Sequence, residues 1–317
     1  MGKSERMDVA VIGAGMTGLT AARALAQAGR APVVFEKSRG LGGRIATRRR
    51  DGGLSFDHGA LCADARNPGF AAELDALTAA GAAAPWDVPD AGCAGPCHVG
   101  LPGMSGLVKP IASGLDIRLS QEVQAVRPAP GGLTLDTADG ARIFANQVVC
   151  AVPAPQAARI LAQVPGVARA LDGVRVRPCY TLLAGFGAPL DTRAGLLRPA
   201  AGPLETVLRN STRPGRDTTP DAWVAHATAG WSRDHLELDR PDAARLLYQA
   251  FAEVLGIALP DPVYCEAHRW RYGFTETPLG QPCLNFGALV VAGDWCLGAR
   301  IEDGYDSGLA AAQAILG

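Results

Sequence analysis

Three glycines near the start of the chain have the spacing of a loop that holds a phosphate. Gly13, Gly15 and Gly18 follow a short apolar run. The first permits a tight turn, the second lets the backbone approach a pyrophosphate, and the third allows a helix to pack closely on a strand. The amides of Met16 and Thr17 would open that helix and face the phosphates, helped by the helix dipole. The pattern predicts a dinucleotide site.

An acidic residue stands where such a site needs one. Glu36 follows Gly18 by 18 residues, at the end of a second apolar run, PVVF at 32–35. There it can accept hydrogen bonds from both hydroxyls of an adenosine ribose. A GxGxxG pattern alone is weak evidence, because a tightly packed glycine loop has the same spacing. Strand, helix and acid in register favour dinucleotide binding.

A second glycine-rich segment distinguishes between dinucleotides. RGLGGR at 39–44 contains Gly42, Gly43 and Arg44, and DHGA at 57–60 follows it. A plain nicotinamide domain has no need of this second loop. An extended FAD does, because its pyrophosphate and ribityl chain run past the first turn, and Arg44 can neutralise phosphate charge. The sequence therefore predicts FAD.

The far end of the chain completes the predicted site. Asp294 ends a predicted strand and suits a ribityl hydroxyl. Ile301 and Glu302 lead into a terminal helix whose first amides would stabilise negative charge on the flavin ring. FAD is expected to be bound non-covalently, although Cys296 is the residue to suspect if a covalent link exists.

These residues require a particular architecture to bring them together. Strand, glycine turn, helix and strand at the start predict an α/β, glutathione-reductase-like FAD-binding Rossmann domain. Several strands and one amphipathic helix in the middle predict an inserted antiparallel-sheet (α+β) substrate domain. The FAD domain is predicted to be discontinuous, with residues 1–75, 103–160 and 285–317, and the substrate domain to comprise 76–102 and 161–284.

Composition argues against several classes of partner. The chain has 317 residues and a net charge of −1, so no global field favours nucleic acid or an acidic membrane. No apolar run reaches the roughly 18 residues of a membrane span. The eight cysteines lack the spacing of a disulfide scaffold, and we expect reduced thiols in a cytoplasmic protein. Cys93, Cys97 and His98 form a cluster without a second ligand pair, so no metal site is predicted.

In combination, these motifs resemble the FAD-dependent amine oxidase superfamily. They are more similar to its renalase-like bacterial branch, and the likeness covers most of the chain. The segments that carry it are the glycine loop, Glu36, RGLGGR, DHGA, and GDWCLGARIEDGYDSG at 293–308, with LRNSTRPGRD, WVAHATAGWS and AHRWRY in the middle. Renalases oxidise unproductive isomers of reduced nicotinamide dinucleotides and pass the electrons to oxygen as peroxide.

The resemblance implies a set of FAD contacts. Val123 would provide a backbone contact to adenine, and His58 would lie near the cofactor. Together with the residues above, the predicted cofactor site is Gly13, Ala14, Gly15, Met16, Thr17, Gly18, Glu36, Lys37, Ser38, Gly42, Gly43, Arg44, His58, Gly59, Ala60, Val123, Asp294, Ile301 and Glu302.

Two segments depart from the family pattern. After DHGA an aromatic pair in a Gln-Tyr-Phe-like stretch would be expected, whereas the chain has Leu61-Cys62-Ala63. After HRWRY it has Gly273-Phe274-Thr275-Glu276. Both segments should lie near the isoalloxazine, so the substrate is expected to be able to differ from the one that the family usually takes.

Catalytic residues are not evident, because the flavin would carry the chemistry. Amine oxidases of this fold usually keep a lysine that bridges through water to flavin N5, but no lysine follows Lys109. Hydride transfer from a dihydropyridine needs no protein base. Arg213 and Arg216 are equally consistent with phosphate binding and with a solvated turn. The candidates for lining a substrate cavity are Asn210, His226, Trp231, Trp270 and Trp295.

The function predicted first is therefore oxidation of isomeric dihydronicotinamide dinucleotides, with O2 as acceptor and H2O2 as product. Two alternatives remain open. One is a flavin oxidase or desaturase of a small amine or ring compound, and the other is a flavin-binding protein without turnover. The partners expected are a small-molecule substrate and O2, with neither nucleic acid nor membrane.

Overall fold

A computed structural model describes residues 5–88, 92–93 and 95–317. The chain divides into two compact units. The first comprises the residues up to Gly43, Val108–Val176 and Thr275–Gly317, and the second comprises Arg44–Leu107 and Arg177–Phe274. These boundaries differ from the predicted ones. Residues 44–75 and 103–107 fall in the second unit, and 161–176 and 275–284 fall in the first. Residues 89–91 and 94 of the predicted substrate domain lie outside the described residues.

The strands range in length from two residues to fourteen. In chain order they are β1 Glu5–Ile12, β2 Pro32–Glu36, β3 Thr47–Arg49, β4 Ser55–Asp57, β5 Ala83–Pro85, β6 His98–Gly100, β7 Asp116–Leu119, β8 Val123–Ala129, β9 Gly132–Thr137, β10 Arg142–Cys150, β11 Arg175–Phe186, β12 Leu196–Leu197, β13 Leu204–Arg209, β14 Asp221–Ala227, β15 Tyr264–Thr277, β16 Leu284–Phe286 and β17 Leu289–Val291.

The α-helices are fewer and most carry a recognisable start signal, such as a proline in the first turn or an Asn, Asp or Thr cap. They are α1 Met16–Gln27, α2 Pro68–Ala79, α3 Ala154–Ile160, α4 Val167–Leu171, α5 Ala229–Asp234, α6 Arg240–Leu255 and α7 Ile301–Leu316. Among the described residues, no helix has both the length and the apolar character that crossing a membrane requires.

The first unit is built on an eight-stranded mixed sheet, in the order β16-β17-β10-β1-β2-β7, with β9 paired to both β10 and β8. β1 runs parallel to β2 and β10, β17 runs parallel to β10, and β7 runs parallel to β2. Parallel strands place their carboxyl ends at one edge of a sheet. The loops after β1, β2 and β17 therefore share that edge, which confirms a Rossmann-like α/β domain.

The central strands of this sheet are buried on both faces and are correspondingly apolar. Val9, Val11, Val148 and Val149 expose none of their surface. Such runs of β-branched residues are typical of parallel strands covered by helices. On one face the buried residues of β1, β10 and β17 pack with α3 and α4. α1 and α7 lie together, and a Cβ on Gly308 would come within 2.5 Å of the Thr17 carbonyl oxygen.

The second unit contains a five-stranded sheet in the order β12-β13-β14-β11-β15. β14 pairs antiparallel with both β11 and β13. Every residue of β14 is buried, because α6 packs on one face and β4 on the other. The predicted antiparallel sheet with one long helix is thus present in this part of the chain.

One local prediction was wrong. The sequence at 105–112, which follows Pro102 and Gly103, predicts a short helix, but the structure has only a short 3₁₀ segment, Met104–Val108. A Cβ on Gly106 would come within 2.1 Å of the Leu101 carbonyl oxygen, so this backbone is packed too tightly for a regular turn of helix.

Candidate functional site

The glycine loop after β1 has the local geometry of a phosphate cradle. Gly13 adopts a φ of +104°, which favours glycine, and its amide donates to the Phe35 carbonyl at 2.8 Å. A Cβ on Gly18 would stand 1.9 Å from the Gly13 carbonyl oxygen, so only glycine lets α1 approach β1 this closely. By contrast, a Cβ on Gly15 would meet nothing within 4 Å. Gly18 is therefore required by packing, whereas Gly15 faces open space.

That open space lies at the N-terminus of α1, which has no side-chain cap. Gly15 is the N-cap residue and has no side chain to accept from the first-turn amides. The first four amides of a helix have no partner within the helix, and the helix dipole makes this end electropositive. An uncapped, uncovered helix N-terminus fits a pyrophosphate. The residues present thus fit a bound dinucleotide.

Glu36 is fixed at the carboxyl end of β2 by two backbone amides. Its Oε2 accepts from Ala14 at 2.9 Å and its Oε1 from Ser38 at 2.8 Å. Glu36 is 7 % exposed, whereas Lys37 and Ser38 are exposed. Each carboxylate oxygen can accept more than one hydrogen bond, so capacity remains for ribose hydroxyls. The glycine loop and the acid are therefore locked to each other before any ligand binds.

The second glycine segment, RGLGGR, contacts the glycine loop that follows β1. The amide of Gly42 donates to the Ala14 carbonyl at 2.8 Å, and a Cβ on Gly43 would contact the Gly15 Cα at 3.9 Å. Gly42 adopts a φ of +102° and is buried. The two loops thus form one continuous backbone surface around the helix N-terminus.

The other predicted cofactor residues of the first unit lie at its buried edge and core. Asp294 is 9 % exposed after β17, and Glu302 is 3 % exposed in the first turn of α7. Ile301 is the first residue of α7, so the helix already includes Ile301 and Glu302, which were predicted only to lead into it. Val123 is buried at the start of β8.

The remaining cofactor candidates fall in the second unit and cluster with one another. The amide of Ala60 donates to the Arg44 carbonyl at 2.8 Å, and a Cβ on Gly59 would come within 2.0 Å of the same oxygen. The Arg44 guanidinium lies 3.3 Å from the Gly273 carbonyl. The RGLGGR and DHGA segments are therefore in direct contact through their backbones.

His58 belongs to a compact group of aromatic rings that we call the histidine–tryptophan cluster, comprising His58, His268 and Trp270. The His58 ring lies 4.9 Å from that of Trp270, nearly stacked, and 4.8 Å edge-on from that of His268. Trp270 Nε1 donates to the His58 carbonyl at 2.9 Å. His268 and Trp270 are two residues apart on β15 and share a face. That period-two spacing is a signal that sequence analysis missed for His268.

All the histidines in this region are held neutral. Burial lowers the pKa of His58 to about 4 and that of His268 to about 3, and the Arg48 guanidinium acts in the same direction on both. Burial also lowers the pKa of His226 to about 4, with Arg177 and Arg198 contributing. Arg48 lies 2.9 Å from His268 Nδ1. Because a guanidinium can only donate, this Nδ1 is an acceptor and carries no proton.

Two cavity candidates are instead part of the structural core. Asn210 is fully buried, and its Nδ2 donates to the Ser55 carbonyl at 2.8 Å, which fixes β4. Trp295 is 1 % exposed in the core of the first unit, and its Nε1 donates to the Val152 carbonyl at 3.0 Å. Their polar atoms are used by the backbone of their own unit, so neither residue presents a free group to a cavity.

The two remaining candidates differ from each other. Trp231 stacks on His235 at 4.2 Å and meets Tyr180 edge-on, away from the histidine–tryptophan cluster. His226 exposes 3 % of its surface, and its Nε2 has no hydrogen-bond partner among the described residues. His226 thus keeps an unused polar atom, while Trp231 packs in the core beside α6.

Arg213 and Arg216 form neither a solvated turn nor a phosphate site. Both guanidinium groups pair with the fully buried Asp57, at 3.0 Å from Arg213 Nη1 and 3.0 Å from Arg216 Nε. Arg213 is itself buried over the Trp86 ring. Asp57 also accepts from Thr47 and from the Met104 amide. Against the cost of burial, these partners keep the pKa of Asp57 below its ordinary value.

The cysteines also depart from the expectation of reduced thiols throughout. Cys93 and Cys97 form a disulfide, and their Cα atoms lie 5.9 Å apart, within the range that a disulfide spans. Cys296 is fully buried, and burial raises the pKa of its thiol to about 12. A buried, protonated thiol is a poor nucleophile. This environment supports the prediction of non-covalent FAD.

Comparison with known proteins identifies the family. Residues 66–316 match the family of flavin containing amine oxidoreductases, and residues 11–74 match the NAD(P)-binding Rossmann-like domain. A segment of 53 residues is 47 % identical to 4,4'-diapophytoene desaturases of Staphylococcus haemolyticus strain JCSC1435 and Staphylococcus aureus strain Newman. That segment is 17 % of this chain and only 10 % of the length of those relatives.

Solved structures share the fold along nearly the whole chain. A protein of Exiguobacterium sp. 255-15 assigned as a protoporphyrinogen oxidase matches with a TM-score of 0.79 and 14 % identity, covering 99 % of both chains. Cyclohexylamine oxidase from Brevibacterium oxydans IH-35A matches with a TM-score of 0.67 and 18 % identity, covering 98 % of both. Putrescine oxidase bound to putrescine matches with a TM-score of 0.66 and 17 % identity, covering 99 % of both.

The Rossmann-like unit and its uncapped glycine loop define a dinucleotide-binding flavoprotein. The chain belongs to the flavin containing amine oxidoreductase family, since the family match spans most of its length. The predictions of an oxidoreductase and of FAD as its cofactor are thereby confirmed.

Proposed function

We propose that this flavoenzyme oxidises isomeric dihydronicotinamide dinucleotides, with O2 as acceptor and H2O2 as product, in the manner of the renalase-like branch. The observation that carries the proposal is the electrostatic character of the second unit. Its buried histidines are neutral, arginines surround them, and the unit contains no lysine. A site of this character suits a neutral ring attached to an anionic diphosphate.

The same environment disfavours a cationic amine. Asp57, the fully buried carboxylate that directly precedes His58, is committed to Arg213 and Arg216. Glu266 pairs with Arg48, and Glu205 pairs with Arg177. A protonated amine would therefore meet arginine charge with the nearby carboxylates already neutralised.

The cofactor is proposed to be held by the predicted contacts of the first unit. Gly15 and the first-turn amides of α1 would receive the pyrophosphate, and Glu36 would accept from the adenosine ribose. Asp294 would contact the ribityl chain, and the N-terminus of α7 would lie at the flavin ring. Bound FAD supplies the capacity to accept a hydride and to return electrons to oxygen.

The protein's own contribution is positioning without proton transfer. The face of Trp270 and the ring of His58 offer a flat, uncharged surface on which a dihydropyridine ring can pack. His226 Nε2 is a buried polar atom without a hydrogen-bond partner among the described residues, and we assign it to the substrate carboxamide. Arg177 and Arg198 provide positive charge for phosphates. None of these groups has to accept a proton for a hydride to leave the substrate.

A second candidate is favoured by the same arginines. An oxidase or desaturase of a ring compound that carries acidic groups would also match positive charge around neutral imidazoles. Oxidation of a small amine is not favoured by this environment, although it agrees with the amine oxidases that share the fold.

Anaerobic mixing of the FAD-loaded enzyme with a panel of reductants tests the proposal. The panel contains the 2- and 6-dihydro isomers of NAD, ordinary NADH, putrescine and a monoamine, and the readout is loss of the oxidised flavin band. We expect the isomeric dihydronicotinamides to act at least about tenfold faster than NADH, about 1.4 kcal/mol in barrier height, and the monoamine to be inert. Readmission of oxygen should restore the band and release peroxide.

Two results would overturn the proposal. Faster reduction by an amine than by every dihydronicotinamide would establish the amine reaction instead. Equal rates with the dinucleotide and with an N-alkyl dihydronicotinamide that lacks phosphates would show that the arginines do not recognise the diphosphate.

A further inference from the structure

Three cysteine sulfurs meet in the second unit, outside the sites described above. Cys62 Sγ lies 3.3 Å from Cys93 Sγ and 3.5 Å from Cys97 Sγ, and Cys93 and Cys97 are joined as a disulfide. Cys62 occupies the segment that departs from the family pattern, and it lies 31 residues before Cys93. We call these three residues the sulfur triad.

A β-bridge explains how the triad forms and why His98 is not part of it. The amide of Ala63 donates to the His98 carbonyl at 2.8 Å, and the amide of His98 donates to the Ala63 carbonyl at 2.7 Å. Bridged partners point to one face, and their chain neighbours point to the other. Cys62 and Cys97 therefore share the face opposite His98. The sequence cluster of Cys93, Cys97 and His98 is thus replaced by a set of three sulfurs.

The triad is not arranged for exchange between Cys62 and the disulfide. A thiolate attacks a disulfide in line with the S–S bond, so the leaving sulfur must lie about 2 Å farther away than the attacked one. Here Cys62 Sγ is almost equally distant from the two sulfurs. A third sulfur that is nearly equidistant from the two disulfide sulfurs does not suit in-line attack. Three sulfurs placed so close to one another suit binding of a shared cation.

The surroundings provide both access and charge compensation. A cavity of about 650 Å³ is lined by Trp86, Asp87, Cys93 and Cys97 among others, so solvent and small molecules reach two of the sulfurs. Arg213 donates to the carbonyl of Leu61, directly before Cys62. Thiolates are the form in which cysteines bind metals, and this guanidinium places positive charge beside the backbone that precedes Cys62.

We propose that the sulfur triad is a redox-gated site for a thiophilic cation, with Zn²⁺ as the ion it takes most readily in a thiolate set. Two molecules of a small thiol reduce the Cys93–Cys97 bond. Each gives up one electron and one proton, and they leave as their own disulfide. The three protein thiols then lose their protons and bind one cation, with the fourth position open to the cavity. The disulfide form binds none, so oxidation releases the ion.

Metal titration of the full-length, FAD-loaded enzyme tests the proposal. The protein is reduced with a thiol, freed of reductant under argon, and dialysed against Zn²⁺, and bound zinc is counted per flavin. Iodoacetamide labelling with mass mapping then shows which cysteines the metal protects. We expect one zinc per chain in the reduced protein, none in the oxidised protein, and protection of the triad only.

Matched variants make the result specific. Cys62→Ser should weaken zinc binding at least about tenfold, while Cys265→Ser, a partly buried thiol of the same unit, should leave it unchanged. FAD content reports whether each variant is folded. Failure of reduced wild-type protein to bind zinc would overturn the proposal, and so would unchanged zinc binding in a folded Cys62→Ser variant.

Discussion

The two units of the molecule hold their polar groups in opposite ways. In the first unit, backbone amides and one carboxylate define the site, as Glu36 does with Ala14 and Ser38. In the second, charged side chains are buried against each other, as Asp57 is with Arg213 and Arg216. The first arrangement leaves hydrogen-bonding capacity for a ligand. In the second arrangement the charged groups bond to one another, so their hydrogen-bonding capacity is used within the protein. The rings beside them are neutral.

A ligand site is therefore to be sought where the backbone leaves hydrogen-bonding groups unused. Backbone-defined sites depend on residues close in sequence, and a ligand completes them. A buried ion network instead supports neighbouring strands, and its charges are not available to a substrate. The predictions that follow use substitutions to separate these two roles.

Two glycine substitutions in the first unit should have the largest effects, and of different kinds. Gly18→Val places atoms within 1.9 Å of the Gly13 carbonyl oxygen, so the unit should fail to fold and yield little soluble protein. Gly15→Val meets open space and should fold, but its side chain should block the pyrophosphate. Thermal unfolding and flavin content of both variants measure the distinction. A Gly15→Val protein that retains FAD, and is therefore yellow, would contradict the assignment of the glycine loop to the pyrophosphate.

Breaking the ion network should come next in size. Asp57→Asn leaves two buried guanidinium groups without their anion, and we expect the free energy of unfolding to fall by about 3–5 kcal/mol. Urea denaturation measures this free energy of unfolding. Glu266→Gln, in a half-exposed pair with Arg48, is the control and should cost no more than about 1 kcal/mol. Similar losses of unfolding free energy in both variants would show that the buried ion network is no more important for stability than the half-exposed pair.

Removal of the ribose acid should affect the cofactor more than the fold. Glu36→Ala deletes charge-assisted hydrogen bonds worth about 1.5–3 kcal/mol, so the affinity for FAD should fall by roughly tenfold to a hundredfold. Titration of the apoprotein with FAD measures the affinity. Asp116→Ala, which removes an exposed acid on the neighbouring strand β7, serves as the control. Unchanged affinity in Glu36→Ala would reject the ribose assignment.

The smallest effect concerns acid stability. The folded pKa of His226 is about 4 against an ordinary 6.5, so the unfolded chain binds the proton first. The stability due to its neutral form is fully present above pH 6.5 and is lost as the pH falls towards 4. Unfolding free energies of wild type and His226→Gln should therefore converge by about 1 kcal/mol between about pH 6.5 and pH 5.5. Parallel curves would show that this histidine is not buried as a neutral group.

The sequence predicted the first unit well because its determinants are local. Gly13, Gly15 and Gly18 specify a turn and a helix start within six residues, and Glu36 follows at the end of the next strand. Each role depends on backbone conformation that the residue type itself restricts. The structure has the loop, the helix and the uncapped N-terminus in these positions.

The second unit could not be predicted to the same depth because its contacts join distant residues. Arg213 and Asp57 are 156 residues apart, and nothing in either local segment shows that they pair. Asn210 was taken for a cavity residue, but it supports β4 across a similar separation. Cys62 and Cys93 meet only because a bridge forms at Ala63. Period-two spacing on β15 was the one local signal that could have identified His268.

The pH dependence of substrate oxidation shows whether the second unit only positions the substrate or also supplies a protein base. The rate of anaerobic flavin reduction by the 6-dihydro isomer of NAD is measured from about pH 6 to about pH 9 in rapid mixing. His58, His226 and His268 all remain neutral over this range, so the rate should change by less than about threefold. A rise of more than about tenfold along a single titration would reveal a protein base and contradict the account.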